Sequence, residues 1–167
     1  MEGYEVVDNF LSPYLFNKIV FQINPISNYS GENILWNYCR AVGTEEDILN
    51  NMYFSNSIYS NTILNPKYFN ILKELRDKLE IKSLIRIKVN LYTRTDYLVH
   101  HPDHCDTGFS HKGALFSLNT CDGFTVINGE EIPSVANRMI FFDPSIPHHS
   151  TNCTNAPHRM NININYF

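Results

Sequence analysis

In residues 84–92, LIRIKVNLY, apolar and polar side chains alternate strictly from Ile85 onward. Successive side chains of a β-strand point to opposite faces, so this pattern predicts a strand with one buried face and one polar face. We expect the apolar face to pack against helices and the polar face, which carries Arg86, Lys88, Asn90 and Tyr92, to look into a barrel. Further short strands are predicted at 113–119, 123–128, 137–143 and 159–167, with turn signals between them.

The first half of the chain adds two predicted helices. Segments 11–24 and 65–80 each begin with an N-cap residue followed by proline, and each then repeats apolar residues at helical spacing. ILWNYCRA and MYFSNSIYS, before the second helix, read as two more strands. This order predicts a mainly β fold with flanking helices: a cupin-like jelly roll, or double-stranded β-helix, with the N-terminal helices packed on one sheet. We expect a single domain over 1–167, with a supporting part at 1–82 and the jelly-roll core at about 83–167.

Composition excludes several classes of protein. The net charge is −4 and no basic stripe is visible, so a nucleic-acid partner is not expected. No apolar run approaches the roughly 20 residues of a membrane span. The four cysteines are far apart and the acidic N-terminus does not resemble a signal peptide, which together predict reduced thiols in a cytoplasmic protein. Asparagine is frequent, but we assign it no function, and nothing indicates an oligomeric state.

All seven histidines lie between positions 100 and 158, and the first 99 residues contain none. This distribution favours a metal or proton-transfer site in the β-rich half. HPDHCD, residues 101–106, contains two His-x-Asp repeats, and either could supply two ligands to one metal ion because side chains two apart point the same way. His148 and His149, at the end of a predicted strand and turn, are the candidates for a third ligand.

The ligand types narrow the choice of metal. Two imidazoles and one carboxylate leave three coordination positions open, as in non-haem Fe(II) oxygenases. A structural zinc site would close four positions, mostly with sulfur, and the cysteine spacing does not provide them. Arg159 stands eleven residues after His148 and opens the last predicted strand with a fixed cation.

Four stretches, HCD, GALFSLNTCDGFT, SVANRMIFFDPSIPHHST and HRMNINI, together resemble the prolyl 4-hydroxylase-like family of Fe(II)- and 2-oxoglutarate-dependent dioxygenases. The resemblance covers residues 84–166, and small phage-encoded members are especially similar. It implies metal ligation by His104, Asp106 and His148, because the family's His-x-Asp precedes a strand that ends in a Leu-Asn pair, here at 118–119. His101 with Asp103, and His149 as the distal ligand, remain the alternatives.

The resemblance also implies the chemistry and its cofactors. These are Fe(II) and 2-oxoglutarate, with ascorbate as a possible reductant, and the products are succinate, CO2 and a hydroxylated C–H position. Arg159 is expected to bind the C5 carboxylate of 2-oxoglutarate and Tyr92 to be a second donor. Weaker candidates lining the same cavity are Ser117, Thr125 and Ser150.

The implied substrate is a prolyl or other residue of a protein or peptide. A free amino acid or a nucleobase is the alternative within enzymes. A non-catalytic cupin-like jelly roll, binding a ligand or serving a virion, is the alternative outside enzymes. If the gene belongs to a phage, the expected location is the host cytoplasm.

Four further expectations concern individual side chains near the predicted site. His100 and His101 should lie at the surface or orient Asp106 or a ligand imidazole. His158 should be exposed, and Cys105, between the two ligands, should pack away from the metal. Without a cation, the carboxylate of Asp106 should be poorly paired.

Overall fold

The computed structural model describes residues 3–24, 34–41 and 52–167. Within these ranges the chain forms three helices and eleven strands in two antiparallel sheets. The elements are β1 (Tyr4–Val7), α1 (Pro13–Ile23), β2 (Asn37–Cys39), β3 (Tyr53–Ser60), β4 (Thr62–Ile63), α2 (Pro66–Ile71), α3 (Lys73–Lys78), β5 (Leu84–Thr93), β6 (Lys112–Ser117), β7 (Phe124–Ile127), β8 (Glu130–Pro133), β9 (Met139–Phe142), β10 (His148–Ser150) and β11 (His158–Tyr166).

The strands form a major and a minor sheet. The major sheet has the order β1-β9-β6-β11-β5-β3-β2, with β4 paired to β3, and the minor sheet has the order β10-β7-β8. Leu115, Ile140 and Phe142 of the major sheet pack against Ile127 and Ile132 of the minor sheet. The two layers and their antiparallel pairing confirm the predicted jelly roll.

Both predicted helices are present, and one differs from its prediction. Helix α1 begins after Ser12, whose side chain accepts a hydrogen bond from the Leu15 amide, and it buries Ile19 and Ile23. The second predicted helix is broken at Leu72, where the backbone turns (φ −86°, ψ 11°) between α2 and α3. Leu72 and Leu75 are nevertheless fully buried, so the apolar stripe holds across the turn.

The central pair of strands, β5 and β11, carries the two-faced pattern seen in the sequence. Val89 of β5 pairs with Ile162 of β11, and both belong to the core that the helices cover. The alternate positions put Tyr92 opposite Arg159 and Asn90 opposite Asn161. One face of the pair therefore supports the fold, and the other presents polar groups to the space between the sheets.

Two features of the strand arrangement were not foreseen in the sequence. Strand β1 adds the N-terminal residues to the edge of the major sheet by pairing with β9, so the supporting part and the barrel share one sheet. Strand β8 forms a hairpin with β7 through Asn128 (φ 54°) and Gly129 (φ 81°), which take the left-handed conformations that such a tight turn needs.

None of the helices in the described ranges is both long enough and apolar enough to cross a membrane.

Candidate active site

Three side chains converge at the mouth of the barrel. His104 and Asp106 lie in the connection between β5 and β6, and His148 is the first residue of β10. One potential ligand atom from each of the three lies within 4.8 Å of the other two. The second His-x-Asp repeat and the first histidine of the pair at 148–149 are thus the ones brought together.

Backbone pairing accounts for this convergence. The amide of His104 donates to the carbonyl of His148 at 3.0 Å, and the reverse bond is also 3.0 Å, so the two residues face each other as an antiparallel pair. Their side chains therefore leave on the same side. Asp106 lies two positions beyond His104, and its amide donates to the carbonyl of Pro144 at 2.8 Å. This bond holds the carboxylate beside both imidazoles.

The two imidazoles are oriented with one nitrogen free. Nδ1 of His148 lies 2.9 Å from the carbonyl of Ile146, and Nδ1 of His104 lies 3.3 Å from that of Pro102. A carbonyl can only accept, so each Nδ1 carries the proton and each Nε2 keeps its lone pair for a metal. Burial, followed by the neighbouring His148, lowers the pKa of His104, which keeps this ring neutral as a ligand must be.

The carboxylate of Asp106 is firmly paired, contrary to the expectation from sequence. Its Oδ2 lies 2.7 Å from a guanidinium nitrogen of Arg86 and accepts from the amides of Asn163 at 3.2 Å and Asn165 at 3.0 Å. Burial alone would raise the pKa of Asp106, but Arg86 and the Asn165 amide outweigh it and hold the pKa at about 2. Oδ1 is left toward His104, with Nε2 at 3.9 Å.

Arg159 is a buried cation without a counter-ion in the part of the chain that the structure describes. It is 1% exposed, and among the described residues no carboxylate lies within ion-pair distance of it. Its guanidinium donates to the Thr151 carbonyl at 2.9 Å and to the Thr125 hydroxyl at 2.7 Å, while its Nε has no partner. Because a buried, unpaired charge is costly, this arginine is poised for an anion.

Tyr92 and Thr125 link Arg159 to the cleft beside the triad. Both side chains line that cleft, and the guanidinium carbon of Arg159 lies 5.5 Å from the centre of the Tyr92 ring. Ser150 lines it too. Ser117 is buried on β6 two positions beyond Leu115, which lines the cleft, and pairs across to Asn161. Among the residues predicted to line the cleft with Tyr92, Ser117 is the one that does not line it.

Gly123 is required for Arg159 to lie where it does. A Cβ atom at this position would come within 2.1 Å of the Asn152 carbonyl oxygen and 2.7 Å of Cδ of Arg159. The CDG segment was read only as a turn signal, and its contact with Arg159 could not be seen in the sequence.

The remaining histidines and Cys105 correct several expectations. His101 is buried, stacks on Tyr92 at 5.1 Å between ring centres, and places Nδ1 2.9 Å from the Ser150 hydroxyl. His100 is exposed, as one of its alternatives predicted, and lies 3.2 Å from His149. In the described contacts neither His100 nor His101 orients Asp106 or a ligand imidazole. His158 is 7% exposed rather than exposed, because it pairs within the sheet at the start of β11. Cys105 is exposed, so the prediction that its side chain packs in the interior was wrong.

Sequence reasoning missed the residues that hold Asp106. Arg86 was expected only on the polar face of β5, and Asn163 and Asn165 belonged to an asparagine excess without an assigned function. The available signal was the period of two in NININ, which sets Asn161, Asn163 and Asn165 on the same face of β11 as Arg159. The strand's inward face could have been inferred, but not its contact with Asp106.

No family model matches the sequence, and no curated protein is significantly similar to it. Solved structures do match. A prolyl hydroxylase from Trichoplax adhaerens, in complex with a hypoxia-inducible-factor peptide fragment, has a TM-score of 0.68 at 15% identity, covering 100% of this chain and 84% of that one.

Two further structures extend the comparison. A Pseudomonas putida prolyl-4-hydroxylase has a TM-score of 0.60 at 14% identity, over 98% of this chain and 92% of that one. The non-heme alpha-ketoglutarate-dependent epimerase SnoN from nogalamycin biosynthesis has a TM-score of 0.65 at 14% identity, over 99% and 77%. The chain therefore has the jelly-roll fold of the 2-oxoglutarate- and Fe(II)-dependent oxygenases, with prolyl hydroxylases among its structural neighbours.

The residues present fit the cofactors of that class of enzymes. Two neutral imidazoles and one carboxylate form the donor set that suits Fe(II) and leaves coordination positions for other ligands. The guanidinium of Arg159, buried and without a counter-ion among the described residues, suits one carboxylate of a dicarboxylic acid. The histidines of the donor set and Thr125, the hydrogen-bond partner of Arg159, line the same cleft.

Proposed function

We propose that this protein is an Fe(II)- and 2-oxoglutarate-dependent dioxygenase that hydroxylates an unactivated C–H bond and releases succinate and CO2. The observation that carries the proposal is Arg159, a buried cation with no carboxylate partner among the described residues. Through Thr125 it adjoins a cleft lined by His104 and His148, and Asp106 converges with these two histidines. A jelly roll with a purely structural role has no need for such a charge, so a purely structural function is disfavoured.

His104, Asp106 and His148 would hold the iron. Oδ2 of Asp106 is engaged by Arg86 and two asparagine amides, so Oδ1 is the oxygen that remains for the metal. The two Nε2 atoms face the same space because both Nδ1 atoms are bonded to backbone carbonyls. When bound, iron, 2-oxoglutarate and dioxygen supply the oxidative decarboxylation that is coupled to hydroxylation.

Arg159 would bind the C5 carboxylate of 2-oxoglutarate. Its two terminal nitrogens can meet the two carboxylate oxygens, and Thr125 already orients one of them. Burial raises the pKa of Tyr92, so its hydroxyl stays protonated as a hydrogen-bond donor beside the arginine. Ser150 adds a hydroxyl to the same wall of the cleft.

The substrate we propose is a prolyl or other residue of a protein or peptide. Support comes from structural neighbours, since one is a prolyl hydroxylase in complex with a peptide fragment and another is a prolyl-4-hydroxylase. The alternative is a small molecule such as a free amino acid, because other neighbours with the same fold act in nogalamycin biosynthesis. The acidic balance of the chain disfavours a nucleobase within nucleic acid.

The test is production of succinate from 2-oxoglutarate with Fe(II) and ascorbate, in wild type and in Arg159→Ala. Loss of a charge-assisted hydrogen bond should weaken 2-oxoglutarate binding by about 1.5–3 kcal/mol, or about 10- to 150-fold. Metal affinity, measured by calorimetry with Mn(II), should change little. Arg138→Ala is the matched control, because Arg138 is already paired with Asp8 at the surface. Absence of succinate from the wild type rejects the dioxygenase, and an equal loss of metal affinity in Arg159→Ala rejects the role of this arginine.

A further inference from the structure

The polar face of β5 carries a cation, Lys88, that the proposed chemistry does not use. Lys88 points to the same face as Asn90 and Tyr92, and its ammonium nitrogen lies 2.9 Å from the hydroxyl oxygen of Tyr53 on β3. Tyr53 is 8% exposed and stacks on Tyr92 at 5.5 Å between ring centres. Lys88 and Tyr53 thus form a polar pair built into the wall of the barrel.

The charges on this face do not balance. Among the described residues, β5 contributes Arg86 and Lys88 to the polar face and the paired strand β11 contributes Arg159, while the single carboxylate near them, Asp106, is bonded to Arg86. Lys88 has no ion-pair partner in the described part of the chain, and burial, followed by the nearby Arg86, lowers its pKa. The charges of a divalent metal ion and of the 2-oxoglutarate dianion cancel, so binding of both would leave the surplus of positive charge unchanged.

Lys88 lies beside the triad but away from Arg159. It pairs across β11 with Asn163, whose amide bonds to Asp106. Arg159 pairs with Tyr92, four positions along β5, which is roughly 13 Å of strand. A group held by Lys88 would therefore lie near the metal ligands without sharing the carboxylate that Arg159 binds.

We propose, building on the dioxygenase function above, that Lys88 and Tyr53 bind a carboxylate of the substrate that is hydroxylated. The ammonium donates to one carboxylate oxygen, and the Tyr53 hydroxyl, which accepts from Lys88, donates its own proton to the other. The carboxylate is either the α-carboxylate of a free amino acid or the side chain of an aspartate or glutamate in a peptide. In both cases the anion fixes the substrate beside the reacting centre and offsets the surplus charge.

The test measures binding to protein loaded with Mn(II), which replaces the iron, in saturating 2-oxoglutarate. One arm titrates the L-amino acids against their carboxamides, and the other titrates blocked dipeptides acetyl-X-Asp-amide against acetyl-X-Asn-amide. Members of each pair differ in one charge at nearly constant shape. We expect at least one acid to bind about tenfold or more tightly than its amide, as for a charge-assisted contact, and the arm in which it does so identifies the source of the carboxylate.

Variants assign the effect to Lys88. Lys88→Met should abolish the preference for the acid, Lys88→Arg should restore much of it, and Lys73→Met, on the exposed face of α3, should leave it intact. Binding of 2-oxoglutarate should survive Lys88→Met. Equal affinity for acids and amides in both arms, no binding in either arm, an unaltered preference in Lys88→Met, or a loss of 2-oxoglutarate binding as large as that of Arg159→Ala would each overturn the proposal. A wild type that makes no succinate but still prefers acids at Lys88 would instead reject the dioxygenase reaction.

Discussion

The two His-x-Asp repeats of HPDHCD share their ligand types and adjoin one another, yet their side chains serve different purposes. In the second repeat, His104 and Asp106 join His148 at the barrel mouth. In the first, His101 is buried against Tyr92, and Asp103 is exposed and lies 2.6 Å from Nδ1 of His149.

Strand pairing explains the difference. His104 bridges to His148 and His100 bridges to Thr151, so four steps along one segment face three along the other. Such an extra residue shifts the alternation of side chains. Asp103 and His149 consequently share the outer side, and His104 and His148 share the inner one. Strand pairing, rather than residue type, decides here which side chains can converge on a metal ion.

The sharpest test of this comparison is the same substitution in both repeats. Asp106→Asn should cause near-complete loss of 2-oxoglutarate decarboxylation, because it removes the anionic ligand. Asp103→Asn should leave the rate close to wild type, because Asp103 faces outward. Succinate production under Fe(II) and ascorbate is the measurement, and the opposite pattern would assign the metal to the first repeat.

The paired histidines allow the next test. His148→Ala should weaken Mn(II) binding by more than about 100-fold. This loss exceeds the one expected when a residue that only supports a metal ligand is removed. His149→Ala should change the affinity by a few-fold at most, since its ring contacts Asp103 and His100 on the outer side. Calorimetry on both variants measures the two affinities. Similar losses of Mn(II) affinity in the two variants would contradict the assignment of His148 to the inner side and His149 to the outer side.

A third prediction concerns what holds Asp106 when no metal is bound. Its pKa of about 2 lies below the unfolded value near 3.9, so the pairing contributes about 2 kcal/mol of stability above that value, lost as pH falls through about 2. Arg86→Gln should lower the free energy of unfolding of the metal-free protein by about this amount at pH 7 and reduce its acid sensitivity below pH 4. Asp106→Asn should also destabilise it. Urea unfolding at several pH values measures both, and an unchanged Arg86→Gln would contradict the ion pair.

The smallest expected effect belongs to the first repeat. Burial, followed by Arg159, lowers the pKa of His101 to about 3, so the unfolded chain takes up a proton first as pH falls below about 6.5. Because of this residue, the free energy of unfolding should fall by about 1 kcal/mol as the pH is lowered from 7 to 5.5. His101→Phe keeps a ring against Tyr92 and should flatten that part of the pH profile. A profile with the wild-type slope would show that His101 is not the group responsible.

Much of the fold could be predicted because its signals are local. The N-cap and proline before α1, the period of two in β5, and the Asn-Gly turn before β8 each depend on a few neighbouring residues. Strand β1 escaped prediction because its four residues are stabilised by pairing with β9, far along the chain. The break at Leu72 escaped as well, since the apolar spacing continues through it.

The candidate site divides in the same way. The histidine cluster and Arg159 could be found by residue type and order. The ion pair of Arg86 with Asp106, the amides of Asn163 and Asn165, and the contact of Gly123 with Arg159 all join distant segments. The burial of His101 depends on the one extra residue that segment 100–104 has relative to segment 148–151. Residue propensities do not predict such a shift in strand pairing.

Every residue of β11 is buried, and this has a consequence for which changes of length the chain can accept. Its odd positions from Arg159 to Asn165 bear the cation and the amides, and Ile162 and Ile164 lie in the helix-covered core. A single inserted or deleted residue within the strand would exchange the two sets, driving amides into the core and isoleucines into the cleft. A point substitution in β11 alters one side chain, whereas an insertion shifts every later position of the strand at once. The exposed turn at Asn128–Gly129, between two short strands, is the place where added residues would be tolerated.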